Sequence, residues 1–238
     1  MAVAIVTGAS RGLGRALALA LAERGWSLVL DARGAAALGG VVEQARSSAG
    51  PGATVLGLPG DVTDPAHRSA LLAAAQQRLG GLDLLVNNAS VLGAEPLCPL
   101  AELPVAGFRQ ALEVNSVAPL ALTAEALPLL RAAPAGAVLN ISSDAAVEAY
   151  RDWGGYGASK AALDHWSAVL ALEEPALRVW SVDPGDMRTA MYAAAVPDDQ
   201  DADSRPLPEE AAVPALLALI GGAAPSGRRT VADLLGTR

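Results

Sequence analysis

The segment Tyr156-Gly-Ala-Ser-Lys160 holds the residue types and spacing best suited to chemistry. Of the 17 basic residues in the chain, 16 are arginine and Lys160 is the only lysine. A bias that strong is informative where it stops, because a planar guanidinium cannot copy a compact ammonium on a flexible stem. The chain has three tyrosines, so a lone lysine would fall four residues after one of them only roughly once in 80 by chance. On a helix, residues four apart share a face with Cβ atoms about 5–6 Å apart. A cation that close to a phenol favours its phenolate, so the pair suits proton transfer. The plainer alternative is a surface lysine beside a half-buried tyrosine, and the bare Tyr-x-x-x-Lys spacing by itself favours that alternative.

Other candidate groups stand at the ends of short apolar runs. Residues 2–7 form such a run and lead into Gly8-Ala-Ser-Arg-Gly12-Leu-Gly14. A helical pattern follows over 15–24, closed by Gly25, and residues 27–30 form a second strand. Strand, glycine-rich turn, helix and strand together open a doubly wound nucleotide-binding sheet. Small residues at such a turn let backbone approach a pyrophosphate at the positive end of a helix. The same turn is equally at home in any parallel sheet.

The alternation continues with a helix over 35–48, a strand over 54–58, a helix over 65–79 and a strand over 83–86. A long helix is predicted from about 106 to 131, with a distortion near Asn115 and Pro119. Asparagine is a poor interior residue, and proline removes a backbone donor. Strands over 137–141 and 177–182 bracket a helix over 156–172. The fold class predicted is therefore α/β, a Rossmann-type doubly wound parallel sheet with helices on both faces, as one domain over 1–238. Polar residues collect just after the strands: 7–14, 31–33, Asp61, Asn87-Asn88, Ser142-Ser143 and 183–189. Ligands of open parallel sheets bind outside the strands' carboxyl ends, so these segments are predicted to line one cleft.

Composition narrows the classes. The chain is 52% hydrophobic, which excludes disorder, yet no apolar run approaches the about 20 residues of a membrane helix. A formal net charge of −8 argues against phosphate-backbone binding, hence against a nucleic-acid partner. One cysteine, Cys98, allows neither an internal disulfide nor a cysteine-based metal site. His67 and His165 lack partner spacing and read as structural or solvent-facing. The first residues lack the charged leader of a signal peptide, so a cytoplasmic location is expected.

These pieces, in this order, resemble the short-chain dehydrogenase/reductase family over nearly the whole chain. Thr7-Gly8-x3-Gly12-x-Gly14, Asp61, Asn87-Asn88-Ala89, Asn115, Ser143, Tyr156-x3-Lys160 and Pro184-Gly185 carry the resemblance. Ser143 lies 13 residues before Tyr156, the usual family separation, and is chosen over Ser142. The resemblance implies Asn115, Ser143, Tyr156 and Lys160 as the catalytic set. Tyr156 would be the acid for carbonyl reduction or the base for alcohol oxidation. Its pKa would have to fall from about 10 to about 7, a preference for phenolate of about 4 kcal/mol, with Lys160 and an oxidised nicotinamide as sources. Ser143 would hold the substrate oxygen, and Asn115 a water linking Lys160 to solvent.

For the cofactor the resemblance implies Gly8, Ser10, Arg11, Gly12, Leu13 and Gly14 around the pyrophosphate, and Asp61 and Val62 at the adenine. Asn88 and Ala89 would lie beside the adenosine ribose, Lys160 and Tyr156 at the other ribose, and Pro184, Gly185 and Thr189 near the nicotinamide amide. No metal is implied. Asp31, 17 residues beyond Gly14, suggests NAD by the generic spacing rule. The family's discriminating acid, however, sits seven residues after Gly25, and that position is Ala32. Arg33 follows it and Arg11 stands in the turn, two guanidiniums suited to a 2′-phosphate. NADP(H) is expected over NAD(H), with Asp31 orienting Arg33.

Ser90 replaces a frequent glycine and is not expected to touch the catalytic set, and Ala118-Pro119 departs from a stretch that often contains glycine. A substrate lid is expected over 186–208, starting with Met187, Met191 and Tyr192, its acidic run from Asp198 to Asp203 forming a solvated, mobile loop. Residues 90–104 and 145–155, with Tyr150 and Trp153, would make the other walls. Ala161, Ala162, Leu163, Trp166 and Leu170 would pack a homodimer or homotetramer. The function implied is an NADPH-dependent reductase of a small ketone, aldehyde or pteridine-like side chain, with a weak lean to the ketoreductase and sepiapterin-reductase-like branches. The alternatives are an NAD-dependent alcohol dehydrogenase and a non-catalytic NADP sensor.

Overall fold

The computed structural model describes residues 1–236. Strands β1 (Val3–Val6), β2 (Ser27–Ala32), β3 (Val55–Pro59), β4 (Leu84–Asn87), β5 (Ala137–Ile141), β6 (Arg178–Asp183) and β7 (Gly227–Thr230) form one parallel sheet in the order β3-β2-β1-β4-β5-β6-β7. The helices are α1 (Gly12–Glu23), α2 (Ala35–Ser48), α3 (Pro65–Ala74), α4 (Val105–Leu112), α5 (Ala118–Ala132), α6 (Gly154–Glu173), α7 (Ala190–Ala195), α8 (Ala212–Gly221) and α9 (Val231–Leu235).

Both faces of the sheet are covered, which explains why its central strands read as continuous apolar runs. Side chains alternate between them. Ala4, Val6, Leu28, Leu30, Leu84, Val86, Leu139 and Trp180 turn to the layer made by α1, α2 and α8. Val3, Ile5, Val29, Leu56, Leu85, Val138 and Val179 turn to the layer of α3 and α5. Strand order reverses beside β1, which has β2 on one side and β4 on the other. That reversal opens a crevice at the carboxyl ends of β1 and β4.

The strands and helices predicted over 2–182 are present, with edges moved by a few residues. The long helix runs as α4, a π-helical turn over Glu113–Val117, and α5, so the distortion expected at Asn115 is real. Pro119 causes no break, because it sits in the first turn of α5, where a missing N–H costs little. The elements after residue 208 were not anticipated: β7 is a four-residue edge strand, Gly-Arg-Arg-Thr, with no apolar pattern. The dimer face expected on α6 needs correction, since Leu163 is buried in the monomer and Leu170 packs against the core. Val117, Leu120, Val169 and Leu172 are the exposed apolar residues of α5, α6 and the π turn.

Candidate active site

A cavity of about 510 Å³ runs along the carboxyl edge of the sheet. It is lined by the glycine turn after β1, Arg33 after β2, Asp61 and Val62 after β3, and Asn88 to Leu92 after β4. Ser142 to Asp144 after β5, Tyr156 and Lys160 on α6, and Asp183 to Thr189 after β6 complete it. Of the residues predicted for the site, Gly14 and Asn115 alone stand outside this wall.

The amino-terminal end of α1 faces the cavity, and no side chain caps it and no acid occupies its first turn. Open N–H groups at a helix start suit an anionic group, so the cradle fits a dinucleotide pyrophosphate. Gly8 has φ +65, and a Cβ there would lie 2.8 Å from Ala89 Cα. At Gly14 a Cβ would meet Asn88 Nδ2 at 2.4 Å and Gly8 O at 2.5 Å. Those two glycines therefore let the turn pack on the Asn88-Ala89 segment. Asn88 supports them by donating Nδ2 to Thr7 O (2.9 Å) and Gly8 O (3.2 Å). Its side-chain donors are thus spent on the turn, not left for a ribose. Beneath it, Asn87 Nδ2 donates to Thr123 Oγ1 (3.0 Å) and Asn140 Oδ1 (2.7 Å), and Asn140 Nδ2 to Ser167 Oγ (2.7 Å). This buried ladder ties β4 and β5 to α5 and α6.

Asp61 Oδ1 accepts from Thr63 N (2.9 Å) and Thr63 Oγ1 (2.8 Å), a turn cap that leaves its other oxygen at the cavity. Those bonds, above all the Thr63 N–H, hold its pKa below the usual carboxylate value despite burial, and the Arg33 charge adds to the effect. Arg11 and Arg33 reach the same cavity, and among the described residues neither side chain has a hydrogen bond or ion pair. Asp31 does not orient Arg33. Its Oδ1 lies 2.6 Å from His67 Nε2, and both side chains are largely buried. His67 is therefore neither solvent-facing nor unpartnered. Residues 36 apart in sequence meet because β3 and α3 fold back along β2.

At the other end, Tyr156 and Lys160 are both buried, with Lys160 Nζ 5.6 Å from the Tyr156 ring centre and donating to Ile141 O at 2.8 Å. Burial pushes the Tyr156 phenol up to about 12, with Ser90 and Ser143 hydroxyls pulling the other way and Asp144 and Asp183 adding to the rise. Burial pulls Lys160 down to about 8, opposed by the nearby Asp164 carboxylate. The lowered tyrosine pKa was expected from Lys160 together with an oxidised nicotinamide; among the protein's own groups burial is the largest influence, and it raises the value. Trp153 stacks edge-on against the Tyr156 ring at 5.7 Å, whereas Tyr150 lies outside the wall and donates to Asp144 Oδ2 at 2.9 Å.

Asn115 also differs from expectation. Its Oδ1 accepts from Val91 N (2.9 Å) and Ser90 Oγ (3.1 Å), and its Nδ2 donates to Val91 O (2.8 Å) and Ser159 Oγ (2.9 Å). An amide has two acceptor and two donor places, so its side chain has none left for a water. It is a brace between the loop after β4 and α6. Ser90, expected to stay clear of the set, touches both Asn115 and Tyr156. The signal was present in the sequence as a serine in a glycine place; what it would touch depended on how the loop folds. Ser143 Oγ donates to Asp144 Oδ1 (3.0 Å) and accepts from Ala145 N (3.2 Å). Ser142 Oγ, at the cavity wall, is buried without a hydrogen-bond partner among the described residues.

Over the cavity, α7 is capped by Thr189, whose Oγ1 accepts from Tyr192 N at 3.2 Å. Within the acidic run Asp198, Asp201 and Asp203 are exposed, as expected, while Asp199 takes the Tyr192 hydroxyl and the Arg205 guanidinium (3.2 Å), and Arg205 also faces Asp186 at 3.6 Å. Arg228, unforeseen, reaches in from β7 with its Nε 2.9 Å from Asp164 Oδ2 and its NH2 3.0 Å from Ser143 O.

A family profile described as short chain dehydrogenase matches residues 2–200. The chain belongs to the short-chain dehydrogenase/reductase family. Members of this family are NAD(P)-dependent oxidoreductases, and so is this chain. It is 36% identical over 193 residues to cis-4-hydroxycyclohexanecarboxylate dehydrogenase of Sinomonas cyclohexanicum, covering 80% of this chain and 75% of that one. It is 36% identical over 216 residues to sepiapterin reductase of Rattus norvegicus, covering 86% of this chain and 81% of the other. Among solved structures, a short chain dehydrogenase of Shigella flexneri complexed with NADP superimposes with a TM-score of 0.87 at 29% identity, over 96% of this chain and 95% of that one.

Proposed function

We propose that this protein is an NADPH-dependent carbonyl reductase in which Tyr156 donates the proton and Lys160 stabilises the phenolate left behind. The observation that carries this reading is the pairing within one cavity of a buried tyrosine–lysine set at one end with two unpaired guanidiniums, Arg11 and Arg33, at the other. Guanidiniums match phosphate geometry and favour a 2′-phosphorylated dinucleotide. The Shigella structure with NADP supports the same choice by similarity. Arg33 would meet the 2′-phosphate, the start of α1 the pyrophosphate, and Pro184, Gly185 and Thr189 the nicotinamide amide. Bound there, the nicotinamide supplies the hydride to the carbonyl carbon.

The chain's own residues do the rest. Ser143 gives up its bond to Asp144 and donates to the carbonyl oxygen. Tyr156, a neutral phenol at physiological pH, passes its proton to that oxygen as negative charge builds there. The Lys160 ammonium, most of it protonated at pH 7 with a pKa of about 8, offsets the resulting phenolate. Met187, Met191, Tyr192 and Trp153 give the substrate end an apolar wall, which suits a ketone or aldehyde with an apolar or flat body. Similarity to the rat sepiapterin reductase places pteridine-like side-chain ketones first in the panel to be tried.

The test is NADPH oxidation against a panel of carbonyl compounds, with NADH in parallel. Replacing Tyr156 by Phe removes the proton donor and is expected to lower kcat by about 10²–10⁴-fold while leaving NADPH binding in place. Turnover that survives Tyr156→Phe, or a preference for NADH, would overturn the reading.

A further inference from the structure

We infer that His67 sets the cofactor preference by holding the Asp31 carboxylate silent beside the adenosine end of the cavity. This inference rests on the NADPH reading and assigns a residue to it. A carboxylate at the carboxyl end of β2 is the feature that would turn a 2′-phosphate away, because two anions at close range repel. Asp31 is at the wall of the cavity, next to Ala32 and Arg33. Its capacity, however, is already engaged: Oδ1 meets His67 Nε2 at 2.6 Å, and the carboxylate also receives the Gly8 N–H. The side chain is 2% exposed.

The surroundings have made room for this pair. Gly60, after β3, lies so close that a Cβ there would fall 2.2 Å from His67 Nδ1, so the ring keeps its place only because residue 60 is glycine. The other charged groups at this end are Asp61, Arg33 and Arg11. The Arg33 charge acts on Asp61, and His67 acts on both acids. Among the described residues neither Arg11 nor Arg33 is tied up in a hydrogen bond or ion pair, so both remain for an incoming dianion. His67 does not line the cavity itself, so it is a positioning residue acting through Asp31.

The experiment titrates the purified full-length protein with NADPH and with NADH by calorimetry, and compares the ratio of the two dissociation constants. Burial raises the Asp31 pKa and His67 lowers it. His67→Leu, titrated at alkaline pH where the acid stays ionised without its base, is therefore expected to free the carboxylate and lower the preference for NADPH about tenfold or more, by weakening NADPH and strengthening NADH together. His67→Gln, which keeps a donor for Asp31, is expected to hold most of the preference. Adding Asp31→Asn to His67→Leu is expected to restore it, a rescue that a purely structural role of the ring would not give. A ratio in His67→Leu within about twofold of the parent, or no rescue in the double variant, overturns the inference. If leucine unfolds the protein, Asp31→Asn alone decides: a silenced acid leaves NADPH affinity nearly unchanged, whereas a gain of about tenfold means the acid was never silenced. A parent that prefers NADH sinks the NADPH reading and this inference together; a parent that prefers NADPH with an unmoved His67→Leu sinks this inference alone.

Discussion

Lys160 is buried, and burial lowers its pKa from 10.5 to about 8. A base whose folded pKa is depressed destabilises the fold whenever it is charged. That cost is complete below about pH 8 and is relieved as pH rises from about 8 towards the unfolded value. The displacement corresponds to about 3 kcal/mol at neutrality. Lys160→Met is therefore expected to raise the thermal midpoint at pH 7 by roughly 5–10 °C while removing activity. The gap between parent and variant should narrow between pH 8 and 10; a variant less stable than the parent at pH 7 would contradict the argument. On the proposed mechanism the same proton is expected to set an alkaline limb on activity, with an apparent pKa near 8. The Tyr156–Lys160 pair was legible because arginine had replaced every other lysine. The Asp31–His67 pair was not, since nothing in a separation of 36 residues says that β3 and α3 bring them together. Nor could the four bonds that saturate Asn115 be read from its type.

The elements place these groups, and their tolerances are tight where backbone approaches backbone. A methyl group at residue 14 would have to displace Asn88 Nδ2 at 2.4 Å and Gly8 O at 2.5 Å, and the carbonyl cannot move without undoing the turn. Gly14→Ala is expected to cost about 1–3 kcal/mol, a fall in thermal midpoint of roughly 3–10 °C, with weaker dinucleotide binding. At Gly12 the Cβ would meet only the Thr189 side chain at 3.5 Å, so Gly12→Ala is expected to be limited by its φ of +54, not by packing. Comparing the two melting curves with NADPH titrations checks both expectations. The elements over 2–182 were legible because buried parallel strands are apolar runs and glycine or proline punctuates them. The π turn over Glu113–Val117 falls where Asn115 signalled a distortion, whereas a second π turn, Ala75–Leu79 after α3, carries no such signal in its residues. The strand β7 was not legible, because an edge strand needs no apolar pattern, and its arginines serve contacts elsewhere in the molecule.

At the scale of the molecule, Arg228 joins the last strand to the centre of the site. It shares Asp164 with Lys160: the guanidinium bonds to the carboxylate, and the same carboxylate raises the lysine pKa. Removing the guanidinium leaves Asp164 and Asp183 without a cation from β7. Arg228→Met is expected to lower stability by about 1–3 kcal/mol in urea unfolding, discounted for its partial exposure. It is also expected to move the alkaline limb of activity above pH 8, since Asp164 then serves Lys160 alone. An unmoved limb would separate the two charges. The exposed Val117, Leu120, Val169 and Leu172 offer a face that a second copy of the chain could cover, and we propose a homodimer or homotetramer formed there. Analytical ultracentrifugation of the parent and of Leu172→Glu measures this. The strand order β3-β2-β1-β4-β5-β6-β7 has one more consequence. Each strand after the first joins an open edge left by those already made, so a chain emerging from the ribosome never has to prise two paired strands apart to admit a third. Assembly can proceed outward from β1 as synthesis advances, and the Arg228 contacts to Asp164 and the Ser143 carbonyl form last, with β7.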